Sequence, residues 1–175
     1  MDNFKTALKK SSSNFNCFFK DAVLEVLGGE FEVVEGVTQY KMAKTLDMLA
    51  GIDLWHFNTK HGIRGVANRI QYGKCWETFT IRKSRDSGVK TEYEKRKFAI
   101  ENEFLYPVLT LQGYLSYDNV SIAFAIAKTK DIIAMIDNGF CTVKKTGEEQ
   151  KGQADFYIIQ WADLKTQGYK IYISK

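Results

Sequence analysis

At 175 residues the chain suits one domain with a full core, and a hydrophobic share of 45% excludes a disordered chain. A net charge of +4 permits a nucleic-acid partner without requiring one. Three scattered cysteines, Cys17, Cys75 and Cys141, form no CxxC pair, which argues against zinc and for a reducing, cytoplasmic setting.

The first 13 residues are polar and read as a loose lead-in or a short helix, without an apolar signal core. No later apolar run is long enough for a bilayer, so no membrane partner is expected. Asn14 or Asn16 can cap the next segment, in which Phe18, Phe19, Val23, Val26 and Leu27 recur near helical spacing and Gly28-Gly29 stop the helix. FEVVEGV reads as a short strand or irregular chain. TQYKMAKTLDMLAG spaces Met42, Leu46 and Leu49 as a helix does.

IDLWHF, GVANRIQY and ETFTIR then follow with turns between them, and are expected to form an antiparallel meander. In the second strand Val66, Asn68 and Ile70 share one face and Ala67, Arg69 and Gln71 the other. After a polar loop, TEYEKRKFAIEN is a helix whose Thr91 and Glu94 fit a capping box, each side chain satisfying a free backbone N–H at the other's end. PVLTLQGYLSY and VSIAFAIAK are strands joined at Tyr117-Asp118-Asn119, and TKDIIAMIDNG is a helix. FCTVKK, DFYIIQW and YKIYIS supply late strands. With no repeat and no linker, residues 1–175 are expected to form a single α/β (α+β) domain, a central mixed sheet flanked by helices.

The chemistry concentrates between Leu46 and Arg85. Asp53 follows Gly51-Ile52 at a strand start, where a carboxylate among apolar residues is costly unless it binds something. It is either a metal ligand or an edge-strand acid facing water. Asp47, at an expected helix end, either shares its pocket or is solvated. Arg69 suits a phosphate oxygen through its forked donors, and Gln71 offers a carbonyl oxygen to a hard cation. Both can equally pair across strands with Thr78, Thr80 or Arg82. The segment 82–97 holds seven basic and three acidic residues, a local excess equal to the net charge of the whole chain. Arg82, Lys83, Arg85 and Lys90 are thus the expected nucleic-acid contacts, while Lys95 to Lys97 fit a solvated helix face just as well. Alternation points His56 away from Asp53, against a role as general base.

The order helix, AGID strand, polar-ended strand, third strand, helix, strand, strand resembles the PD-(D/E)XK nuclease superfamily over about residues 15–136. That resemblance implies a restriction-endonuclease-like fold and a Mg²⁺ or Mn²⁺ site cleaving DNA or RNA phosphodiesters. Asp53 matches the first-strand aspartate. The second strand carries Arg69-Ile70-Gln71 where the family has acid-x-Lys, so Asp47 or Glu77 would have to be the second acidic ligand. Gln71 would complete the shell, with Arg69 and Arg82 on the phosphate. The alternative is a catalytically inactive nuclease-fold protein that binds nucleic acid or a host protein. The blend YEKR…LQGYL also resembles phage or mobile-element proteins, which implies an accessory or anti-defence role.

Overall fold

The computed structural model describes residues 13–33, 50–84, 90–118, 120–145 and 154–174. The expected helix at 38–51 falls almost wholly outside these residues, as do Asp47 and Arg85.

A π-helical turn, Phe15–Phe19, runs into α1 (Lys20–Leu27), which stops at Gly28 with φ of 62°. Asn14 does not cap this turn; its amide donates instead to the Tyr72 hydroxyl at 2.6 Å. The strands β1 (Glu30–Val33), β2 (Leu54–Asn58) and β3 (Gly62–Tyr72) are antiparallel neighbours. β4 (Thr78–Arg82) leaves them. Helix α2 (Glu92–Glu101) then carries the chain to β5 (Leu109–Leu115), which pairs in parallel with β3. β6 (Ser121–Lys128) returns antiparallel to β5, α3 (Thr129–Asp137) follows directly, and β7 (Thr142–Lys144), β8 (Phe156–Gln160), α4 (Trp161–Thr166) and β9 (Ile171–Ser174) complete the described elements.

The result is a mixed α+β domain. One sheet has six strands in the order β1-β2-β3-β5-β6-β9, and a second has three in the order β4-β8-β7. The expected meander is therefore corrected at its third strand. β4 pairs with β8, and the neighbour of β3 is β5. ETFTIR alternates equally well in either place, and only its nearness in sequence favoured β3. α4 is an element that the sequence reading left out, because the apolar strand DFYIIQ enters it without a break.

The large sheet is covered on both faces, which is why all seven residues of β5 are buried. One face packs Phe15, Phe19, Val23 and Phe31 against Leu54, Val66, Leu111, Phe124 and Ile126. Gly113 is needed there, since a Cβ would stand 2.9 Å from the Phe19 ring. The other face packs Tyr114 and the alanines of β6 against Phe79 and Ile81 of β4, Ile159 of β8, and α3 and α4. Along the β3–β4–β5 side of this second layer the facing residues turn polar, and the candidate site lies there.

Candidate functional site

Asp53 immediately precedes β2 and is fastened to β3 at two points. Its N–H donates to Val66 O at 3.0 Å, and its carboxylate Oδ2 accepts the Asn68 N–H at 2.6 Å. Ala67 leaves space beside it. Arg69 crosses to the second layer, where Nη1 donates to Thr80 Oγ1 at 3.3 Å and Nη2 pairs with the Glu92 carboxylate. Glu92 opens α2, fixed by a complete capping box at Thr91 and Glu94. Its second oxygen accepts the Arg82 N–H at 3.2 Å. One helical turn later, Arg96 comes from the same face. Asp53, Ala67, Asn68, Arg69, Thr80, Glu92, Arg96, Thr110 and Leu111 line one recess, with about 30 Å³ of water-accessible space. That is room for a water molecule or one oxygen of a larger group.

Charge is balanced inside this recess, two carboxylates against two guanidinium groups. Burial alone would raise the Glu92 carboxyl. Arg69 first, then Arg96, the Arg82 N–H and the Arg82 guanidinium outweigh it and hold the group at about 2. Arg96 is only 6% exposed. Burial pulls its pKa down, while the carboxylates of Glu92 and Asp53 oppose the loss of its proton. Its Nε and Nη1 nevertheless have no hydrogen-bond partner among the described residues. A buried donor left unmet costs about 1–3 kcal/mol, and more when charged. Arg96 lines this small recess, and a guanidinium with unmet donors suits an anionic oxygen.

Behind the recess a polar ladder joins the two sheets. Gln71 Nε2 lies 3.5 Å from Thr80 Oγ1, which in turn donates to Gln112 Oε1 at 3.2 Å. Thr110 Oγ1 meets Thr129 Oγ1 at 2.9 Å. The cross-strand alternative for Arg69 and Gln71 is thus realised at Thr80, although between sheets.

Of the expected site residues, Asp53 and Arg69 line the recess and Gln71 stands just behind it. Glu77 lies elsewhere. Its neighbour Thr78 bonds Tyr114 at 2.9 Å, three residues along β5 from Leu111, about 10 Å at the usual strand rise. Arg82 and Lys83 stand over the rings of Phe156 and Tyr157, each at 5.6 Å, and Lys90 over Phe98 at 4.6 Å. His56 is fully buried on the opposite face, with Nε2 at 2.7 Å from Gly28 O and Nδ1 at 2.9 Å from Arg64 Nη2.

Glu92 and Arg96 were not expected here, and for Arg96 the solvated-face reading is corrected. A signal was present: Glu92, Arg96 and Ala99 fall at i, i+4 and i+7, the spacing of a helix's inner face. Their charges hid it.

No protein-family model matches the chain, and comparison with curated proteins and with solved structures gives no match either. The reading of the recess therefore rests on its own chemistry. A divalent cation of the expected kind takes several anionic or carbonyl oxygens. Among the described residues no group of three or more His, Cys, Asp or Glu side chains could hold one. The two carboxylates of the recess are already engaged, and two guanidinium groups share it. The described residues do not fit Mg²⁺ or Mn²⁺.

Proposed function

We propose that the protein binds nucleic acid through its phosphates, with Arg96 and Arg69 in the recess and Arg82 and Lys83 on the adjoining strand. The supporting observation is Arg96, a buried guanidinium with two unmet donors at a recess of atomic dimensions. An Arg fork suits phosphate oxygens bidentately. The local excess of positive charge in 82–97 supplies the long-range attraction that such a partner needs. Strand order along β1-β2-β3-β5-β6 keeps the resemblance to the PD-(D/E)XK scaffold within the proposal. On that scaffold the two guanidinium groups sharing the recess with its two engaged carboxylates favour the binding alternative over cleavage.

The test is fluorescence anisotropy with labelled oligonucleotides over a range of salt. Wild type should bind, with a log–log slope that reports several phosphate contacts. Arg82→Ala with Lys83→Ala should flatten the slope by about one unit per lost contact. Arg96→Lys keeps the charge without the fork and should weaken binding. Absence of binding at low salt would sink the proposal. Cleavage of any strand on addition of Mg²⁺ or Mn²⁺ would restore the nuclease expectation.

A further inference from the structure

Glu92 holds the place of an anion. It opens α2, and its carboxylate is engaged at both oxygens: Oε1 pairs with Arg69 Nη2, and Oε2 accepts the Arg82 N–H at 3.2 Å. The guanidinium groups of Arg96 and Arg82 also attract it. Arg96 Nε and Nη1 nevertheless have no partner among the described residues. A phosphate oxygen therefore reaches Arg69 Nη2 only by exchange with Glu92. The Glu92 side chain is 24% exposed, so its carboxylate has a route to water that leaves the Thr91 cap in place.

Exchange sets a condition on the ligand. A phosphodiester has one negative charge and two unesterified oxygens, as the carboxylate has, and gains nothing by replacing it. A phosphomonoester has three such oxygens and a charge of about −1.5 to −2 at pH 7. Its third oxygen matches the unmet donors of Arg96. The charge count agrees. Arg69, Arg96 and, from the adjoining strand, Arg82 stand against Glu92 and Asp53, which leaves one positive charge over. Replacing Glu92 with a dianion removes that excess, and replacing it with a diester does not.

We infer that the recess selects a strand end bearing a phosphomonoester, and that Glu92 is the internal anion which this end displaces. The inference rests on the phosphate-binding reading of the recess. Its test uses the full chain and thymidine strands of equal length, labelled internally with fluorescein. They end in a 5′-phosphate, in a 3′-phosphate or in hydroxyls alone. Wild type should bind one phosphorylated strand about tenfold more tightly than the hydroxyl-ended one, the scale of one charge-assisted hydrogen bond. Inorganic phosphate should displace that strand where dimethyl phosphate at equal ionic strength does not. Glu92→Gln removes the internal charge and should shrink the margin by admitting diesters. Glu101→Gln takes the same charge from the exposed end of α2 and should leave the margin intact. If Glu92→Gln fails to fold, the two competitors on wild type still decide between end and diester.

Equal binding of all three strands, or equal displacement by the two competitors, would overturn the selection of ends. A margin unchanged in Glu92→Gln would overturn the exchange. Thymidine 5′-monophosphate competing as tightly as the phosphorylated strand binds would reassign the site to free nucleotides. If Arg96→Lys weakened all three strands equally, the phosphate reading would stand without this inference. Failure of every strand to bind at low salt would remove both.

Discussion

The two faces of the large sheet are built from the same strands and hold together differently. Towards α1, Leu54, Val66, Leu111 and Phe124 meet phenylalanine rings in a largely apolar interface, with His56 and Asn14 among its buried polar groups. Towards the small sheet, Arg69, Gln71 and Gln112 meet Thr80 through hydrogen bonds, Thr110 meets Thr129, and the β6 side is apolar. The first face is stabilised by area removed from water. The second is stable only while each charge and hydroxyl keeps its partner, since a partly satisfied buried network is worse than an apolar one. A molecule that needed only stability would have two dry faces. The polar one holds the recess proposed as the binding site.

The contrast can be broken most severely at Glu92. Glu92→Gln leaves Asp53 as the one carboxylate against Arg69 and Arg96, and should cost about 3 kcal/mol, the low end for losing one partner of a buried pair, since the paired side chains are about a quarter exposed. The denaturant midpoint reports this. Because the folded carboxyl sits at about 2 against an ordinary 4.5, wild-type stability from this group is complete above about 4.5 and lost as pH falls through 2. The variant should lack that acid-dependent loss.

On the dry face Leu111→Ala should cost about 3 kcal/mol, the lost transfer energy plus a cavity. Its effect should not vary between about pH 2 and pH 5, unlike that of the Glu92 change.

His56 sharpens the comparison within the dry face. Burial first, and the charges of Arg64 and His61, outweigh the Gly28 carbonyl and keep its pKa below 6.5. The unfolded chain therefore takes up the proton more readily. Stability is full above about 6.5 and falls as pH drops from there through the folded value. His56→Gln should flatten wild-type stability between pH 7 and pH 5 in thermal melts.

The smallest effect is expected at the helix that carries Glu92 and Arg96. Thr91→Ala removes the cap accepting the Glu94 N–H at 3.3 Å and should cost about 1 kcal/mol. Hydrogen exchange at the first turn of α2 should rise with it.

Local signals were legible. The capping box at Thr91, the β-rich runs of β5 and β6, and the alternation on β3 that separates Val66 from Arg69 all follow from residue type and spacing. Partnership across distance was not. Nothing in ETFTIR states that its neighbour is Phe156 to Gln160 rather than Gly62 to Tyr72. Asp53 and Arg69 could be singled out because they interrupt apolar strands. Glu92 and Arg96 sit among other charges, and the recess they line is completed by Thr80, on a strand whose sheet could not be known.

That distant pairing has a consequence for when the recess exists. Thr78 of β4 lies opposite Gln160, and Arg82 opposite Phe156. Local pairing such as the β2–β3 hairpin closes quickly, whereas a ladder with so long an intervening loop closes late. As the chain leaves the ribosome, Arg69 and Arg96 are made long before the strand that anchors Thr80 against them. A nascent chain lacking β8 is therefore expected to pack its dry face before the Thr80 side of the recess is in place.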